Sequence, residues 1–256
     1  MRSPSLTSTV SRSPGSRPHS LVPVHKLVVD LAAVSRSWAL PSEAAQAIRN
    51  AAPADWEVVV ATTPAVSDGD GGTKPSPQVL DAMRQAEAYF GFGLPRDLFL
   101  AAPGLKWVHS ASAGVGSLLY PEMLASDVVV TNSAVVMGDP IAEQALAGIL
   151  YFVRNLDIAV DQQRRGEWNK APFVDDASRA RELSECRALL VGMGGIGEAL
   201  ARRLSGLGCP CVGVRRHPDR PLPAGFRRAV PMDGIDAELP NADIVVLATP
   251  LTPLTR

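Results

Sequence analysis

The chain has 256 residues, 46% of them apolar and 20% charged, with 25 Lys and Arg against 26 Asp and Glu. That composition excludes a disordered chain, a collagen-like repeat and a disulfide-stapled mini-protein. A formal charge of −1 also argues against dedicated nucleic-acid binding, which usually needs a strongly basic domain. The length suits one large domain or two small ones.

Residues 1–23 stand apart. The first twenty hold seven Ser, three Pro and three Arg, and the first acidic residue is Asp30. We read this stretch as a disordered tail. The same Arg-rich, acid-poor composition also marks organelle transit peptides. The longest nearly continuous apolar run, Ala145 to Val153, is far below the roughly 20 residues of a membrane span. No membrane partner is expected. Cys186, Cys209 and Cys211 are odd in number, which suits free thiols and a cytoplasmic setting. No ligand cluster of zinc-site spacing surrounds them, and no metal is expected.

In chain order, Lys26 to Leu31 reads as a strand, Pro41-Ser42-Glu43 as the opening of a helix through about Asn50 and Trp56 to Ala61 as a second strand. Thr62 to Pro77 reads as an exposed loop. A helix over Gln78 to Gln85, a strand over Ala88 to Phe92 and a helix over Pro95 to Ala102 follow. Lys106 to Ser110 and Asp127 to Thr131 are further strands. Short strands alternating with helices predict a parallel α/β sheet. Ile141 to about Arg165 then predicts one long helix. Its apolar positions Ile141, Ala145, Ile149, Phe152, Leu156 and Val160 mark a buried face. Gly166 to Glu185 is irregular, with Trp168 and Phe173 as anchors. A second alternating segment follows, with strands at Arg187 to Val191, Cys211 to Val214, Arg228 to Val230 and Asp243 to Ala248. Its helices span Glu198 to Leu207 and Asp233 to Leu239.

Gly192-Met193-Gly194-Gly195-Ile196-Gly197 fits G-x-G-x-x-G and has the context that pattern needs, an apolar strand before it and a helix after it. Gly192 permits the tight turn and Gly194 a close approach of pyrophosphate. Gly197 allows tight helix–strand packing, and the motif, with Gly195 and Ile196 in it, leads into the helix whose N-terminus faces the anion. NAD sites carry an acidic residue about 20 positions on. Here stand Arg215 and Arg216, suited to the 2′-phosphate of NADP through charge-assisted hydrogen bonds. Solvated arginines, with Asp219 or nothing on the ribose, are the alternative. NADP is favoured over NAD.

Four segments together resemble the D-isomer-specific 2-hydroxyacid dehydrogenase family, which includes glyoxylate/hydroxypyruvate reductases. They are KWVHSASAGVGSLLY (106–120), VVVTNSAVVMGDPIAE (128–143), VGMGGIG (191–197) and DIVVLATPLTPLTR (243–256). The resemblance implies two doubly wound parallel-sheet domains: a flavodoxin-like substrate domain (24–135) and a Rossmann NAD(P)-binding domain with a bridging helix (136–256). It implies hydride transfer between NAD(P)H and a small 2-oxo or 2-hydroxy acid. It places the acid's carboxylate on the backbone of Ala113 and Gly114, and Thr249 and Pro250 beside the cofactor. Gly116 stands where the family usually has Asp. The family's catalytic Arg, Glu and His lie beyond the counterpart of Arg256, so an incomplete Rossmann domain and an inactive or impaired fragment are expected. His109 is read as a structural hydrogen-bonding residue. The resemblance also implies a homodimer. A noncatalytic NAD(H)-binding, corepressor-like protein is the alternative reading.

Overall fold

A computed structural model describes residues 25–35, 38–64, 66–67, 73–176, 178–250, 252 and 255. The tail assigned to residues 1–23 lies outside them. The elements are β1 (His25–Asp30), α1 (Ser42–Ala51), β2 (Trp56–Val60), β3 (Val66–Ser67), β4 (Thr73–Lys74), α2 (Pro77–Met83), β5 (Ala88–Gly91), α3 (Arg96–Leu100) and β6 (Trp107–Ser110). After them come α4 (Pro121–Leu124), β7 (Val129–Asn132), α5 (Gly138–Val153), α6 (Leu156–Arg165), α7 (Ala171–Val174) and β8 (Ala188–Val191). The chain continues through α8 (Gly195–Gly206), β9 (Cys211–Val214), β10 (Phe226–Val230), α9 (Ile235–Glu238) and β11 (Ile244–Leu247).

Among the described residues the strands form a five-stranded sheet of order β2-β1-β5-β6-β7 and a four-stranded sheet of order β10-β9-β8-β11, with β3 and β4 as a small antiparallel pair. Both orders are doubly wound ones: 2-1-3-4-5 in the first sheet and 3-2-1-4 in the second. The fold class is therefore α/β with parallel sheets, as the alternation of elements predicts. By spatial proximity the chain divides into two compact units. One runs through Phe90 and includes Pro95–Trp107; the other holds Gly91–Leu94 and Val108–Arg256.

In the first unit, β1 and β2 pair in parallel from His25 opposite Trp56 to Val29 opposite Val60. Val28, Val29, Met83, Tyr89 and Leu98 are buried in its core. Helix α2 starts where Ser76 caps it, its hydroxyl accepting from the Val79 N–H, with Pro77 in the first turn.

In the second unit, β8 lies between β9 and β11, with Val191 opposite both Val214 and Leu247. All four β8 residues are buried because both faces are covered. Ala188 and Leu190 pack with Leu200 and Leu204 of α8 and with Ala142 of α5. Leu189 and Val191 face the opposite layer with Val214, Val230 and Ile235. Helix α8 ends at Gly208, where φ is +84°. The Cys209 N–H donates to the Leu204 carbonyl and the Gly208 N–H to that of Ser205, which satisfies the helix's last carbonyls.

Several expected elements change. The Thr62–Pro77 loop contains the β3–β4 pair, whose two-residue strands are too short for an alternation signal. The long helix is broken between α5 and α6, where Asn155 adopts φ +55°. Its side-chain amide donates to the Pro172 carbonyl, and Arg154 donates to the Arg181 carbonyl. The buried stripe is also displaced. Ala142, Ala145, Leu146, Ile149, Leu150 and Val153 face the core. Ile141, Phe152 and Leu156 are exposed. Trp168 is no anchor: it is 87% exposed, with Lys170 Nζ 6.0 Å from its ring.

Candidate functional site

In an open parallel sheet the ligand crevice lies at the carboxyl ends of the strands, where the strand order reverses. In the four-stranded sheet that point lies between β8 and β11. Gly192 follows β8 there with φ +110°, a conformation that favours glycine. A β-carbon on it would come within 2.5 Å of the Ala248 carbonyl oxygen and 3.0 Å of the Thr249 nitrogen. The loop after β8 and the loop after β11 therefore meet backbone to backbone. Gly197 is equally constrained, since its β-carbon would overlap the Gly192 carbonyl. Of the predicted site residues, the structure thus brings Gly192, Gly197 and Thr249 together. Pro250 follows Thr249, and its carbonyl accepts from the Thr255 hydroxyl at 2.6 Å.

Gly194 differs from its neighbours in the motif. It caps α8 with φ −85°, and nothing lies within 4 Å of where its β-carbon would be. The protein itself does not require glycine here. The missing side chain leaves open space directly before the N-terminus of a twelve-residue helix, whose first N–H groups have no intrahelical acceptor. Open space, free donors and the positive end of the helix dipole fit a dinucleotide pyrophosphate. Gly195 packs against Val135, and Ile196 occupies the next position of the first turn.

Three residues outside the motif complete the loop. Gly213, in the middle of β9, has the Met193 thioether where a β-carbon would be. An isolated glycine inside a strand signals such close approach, so this one was detectable from sequence. A β-carbon on Gly138, at the start of α5, would sit 3.0 Å from the Gly195 carbonyl. No local pattern marks it. Arg203 of α8 then donates to Asp139 at 2.8 Å and to Glu143 at 3.0 Å, both on α5. These carboxylates hold its guanidinium above its ordinary range.

The two arginines after β9 separate in role. The Arg215 guanidinium turns back into its own loop and donates to the carbonyls of Pro218 and Pro221, each at 3.2 Å, and of Arg220. Arg216 is exposed. Cys186, Cys209 and Cys211 are buried free thiols. Burial pushes Cys186 up from the ordinary thiol range.

The Ala113–Gly114 loop follows β6. Asn132, the last residue of β7, donates through Nδ2 to the Ala113 carbonyl at 2.6 Å. The Ser112 N–H is taken by Ser110 Oγ at 3.2 Å. No atom lies within 4 Å of a β-carbon built on Gly114 or Gly116. His109 faces Thr131 Oγ1 through Nδ1 at 2.8 Å and Ser133 Oγ through Nε2 at 3.2 Å. Both ring nitrogens are engaged, as for a structural histidine.

Residues 146–256 match the family model described as D-isomer specific 2-hydroxyacid dehydrogenase, NAD binding domain. Over these residues the chain carries the NAD-binding domain of the D-isomer-specific 2-hydroxyacid dehydrogenase family. It is 31% identical over 157 residues to a glyoxylate reductase of Thermofilum pendens, covering 59% of this chain and 44% of that one. It is 26% identical over 183 residues to a D-3-phosphoglycerate dehydrogenase of Methanocaldococcus jannaschii, covering 70% of this chain and 34% of that one. Among solved structures, a D-isomer specific 2-hydroxyacid dehydrogenase of Xanthobacter autotrophicus in complex with NADPH and MES is similar, with a TM-score of 0.65 and 26% identity. That match covers 91% of this chain and 66% of the other. An NADPH-dependent glyoxylate/hydroxypyruvate reductase of Sinorhizobium meliloti gives a TM-score of 0.63 at 25% identity, over 91% of this chain and 64% of that one. The chain spans about a quarter to a half of the length of the curated relatives it matches. Its relatives in this family are oxidoreductases. Among the described residues no helix is long and apolar enough to cross a membrane.

Proposed function

We propose that the chain binds NAD(P)H on the Gly192–Gly197 loop and a small 2-oxo or 2-hydroxy acid on the Ala113–Gly114 loop. Both sites would serve the family's glyoxylate/hydroxypyruvate-type reaction. The observation that carries this reading is the crevice at β8. Gly192 and Gly197 are glycine because backbone fills the space, whereas Gly194 is glycine where the protein leaves the space open. When bound, the nicotinamide supplies a hydride to C2 of the oxo acid. The chain's own part is to hold the pyrophosphate on the first turn of α8, with Thr249 and Pro250 alongside. The acid's carboxylate takes the free N–H groups after β6.

NADP is the favoured cofactor, with Arg216 as the residue for its 2′-phosphate. Arg215 is committed to loop carbonyls, and no carboxylate stands at the end of β9 to hold an unphosphorylated ribose. The NADPH bound to the Xanthobacter relative points the same way. We assign the proton donor to neither His25 nor His109. His25 Nδ1 is held by Glu87 at 2.7 Å, and both nitrogens of His109 are engaged. Division of labour follows the sequence boundaries, with 24–135 for the acid and 136–256 for the cofactor. Exposed Ile141, Phe152 and Leu156 on α5 and α6 supply the apolar contact of a homodimer. The unpaired thiols suit a cytoplasmic location.

The test is titration of the chain with NADPH and NADH, followed by fluorescence, then NADPH oxidation with glyoxylate and hydroxypyruvate. NADPH should bind more tightly, Arg216→Ala should weaken NADPH alone, and turnover should be slow or absent. Tighter NADH binding would reject the NADP assignment. No binding of either nucleotide would reject the site. Rapid turnover would show that a proton donor has been missed.

A further inference from the structure

We propose that Asn132 is a positioning residue that aims the backbone of the acid-binding loop. The inference rests on the reading of Ala113–Gly114 as an anion site and adds to it the group that sets its geometry. The Asn132 amide nitrogen donates to the Ala113 carbonyl at 2.6 Å. A carbonyl can only accept, so the amide must present its NH2 group there. The Ala113 carbonyl and the Gly114 N–H belong to one planar trans peptide, where they point in opposite directions. Pinning the carbonyl on Asn132 therefore turns the Gly114 N–H away from β7. Gly114 has no side chain, and nothing lies within 4 Å of where its β-carbon would be. The neighbouring Ser112 N–H is spent on Ser110 Oγ, so it is withdrawn from any anion.

Asn132 is itself held firmly. The Ser133 N–H donates to the Ser110 carbonyl at 3.0 Å, which fixes the end of β7 beside β6. The hydroxyls on either side, Thr131 and Ser133, both bond the His109 ring. A short side chain on so constrained a backbone has little freedom, so its hydrogen bond determines the peptide orientation rather than following it. Two and three residues on, Ala134 and Val135 lie within 3.8 Å of where a β-carbon on Gly195 of the cofactor loop would be. One segment, 132–138, thus braces the anion loop with its first residue and the dinucleotide loop with its last ones. The Asn132 side chain bonds the anion loop, so its removal should separate the two binding events.

The experiment measures oxamate, a non-reducible mimic of a small 2-oxo acid, binding by calorimetry to the full chain with NADPH present. NADPH binding is measured separately. Asn132→Asp is the decisive variant, because it keeps the shape and replaces the donor with an acceptor facing a carbonyl. Oxamate affinity should fall at least about tenfold in Asn132→Asp and Asn132→Ala, the effect of one lost hydrogen bond or more. NADPH affinity should stay within about twofold, since tenfold is the smallest loss assigned to the bond. Unchanged oxamate affinity in Asn132→Asp overturns the positioning role. Failure of the wild-type chain to bind oxamate overturns the anion-site reading, and this role with it. If the variants do not fold, the isotope-labelled wild-type chain decides. Oxamate must then shift the Gly114 amide resonance above all others in the loop, and an unmoved Gly114 amide overturns the proposal.

Discussion

A β-carbon added to Gly192 has to displace the Ala248 carbonyl and also sit at φ +110°. One added to Gly197 has to displace the Gly192 carbonyl. Neither obstacle is the end of a flexible side chain, so relief requires the loops after β8 and β11 to move apart in the first case and the glycine turn to shift off α8 in the second. Gly194 meets no such obstacle and has an ordinary φ of −85°. Glycine to alanine should therefore act differently along one motif. Gly192→Ala and Gly197→Ala should each lose about 2 kcal/mol or more in urea unfolding, the scale of backbone strain and overpacking. Gly194→Ala should unfold within about 0.5 kcal/mol of the parent, as surface changes do. Its NADPH affinity should nevertheless fall by about tenfold or more, because the methyl group takes the space left for phosphate. A Gly194→Ala protein that binds NADPH normally would show that the open space is not the pyrophosphate site. The motif was legible because its glycines are consecutive along one turn. Gly138 was not, because its reason lies at Gly195, 57 residues later, on a different helix.

The α5–α6 break shows what periodicity can hide. Apolar residues continue at spacings of three and four from Ile141 to Val160, so the pattern runs through Asn155 without a visible stop. Asn is a moderate helix residue that also tolerates the left-handed conformation, so its identity alone is ambiguous. The decision comes from acceptors far along the chain: Pro172 for Asn155 and Arg181 for Arg154. Breaking the helix there re-aims the second half, on which Leu156 is exposed, whereas Phe152 is exposed because the core face of α5 runs through Ile149, Leu150 and Val153. Asn155→Ala should cost about 1–3 kcal/mol, since the new residue dislikes φ +55° and the Pro172 carbonyl loses its donor. Asn155→Gly should cost less, because glycine keeps the conformation and loses only the side-chain bond. Equal urea midpoints for the two variants would mean that the hydrogen bond, not the backbone conformation, maintains the break. β8 and β9 were legible nearly to the residue, and α8 in all but its first three residues, for the opposite reason. Their signals are local: buried runs, a glycine turn before the helix and a glycine after it.

For the whole molecule, the strand order 3-2-1-4 followed from four alternating elements and one motif. The pairing that locks the outer strand β11 onto β8 did not, because it depends on side chains 62 residues apart. Arg181 donates to Asp243 Oδ1 at 2.5 Å, and the Arg187 N–H donates to Oδ2 at 2.8 Å. The Arg181 bond first, and the Arg187 N–H second, hold the Asp243 carboxyl below its ordinary range. At pH 7 the net charge is near zero, so overall repulsion is small there and specific groups such as this one set the electrostatic part of stability. A carboxyl whose folded pKa is lowered stabilises the fold above its unfolded pKa, and that contribution is lost as pH falls through the folded value. Glu87, held down by Lys106 and then His25, acts with the same sign in the first unit. Asp30 acts with the opposite sign. Burial raises it, more than its bond from the Tyr89 hydroxyl lowers it. Its ionisation therefore costs stability as pH rises from the unfolded value of 3.8 through the higher folded one. Urea midpoints followed by circular dichroism from pH 7 to pH 3 should separate the two groups. Asp243→Asn should lie below the parent at pH 7 and converge with it at pH 3. Asp30→Asn should lie above the parent at pH 7, since the amide can still accept from Tyr89 without a buried charge, and should likewise converge in acid. Curves that run parallel to the parent's at every pH would mean that neither carboxyl is linked to folding through its charge.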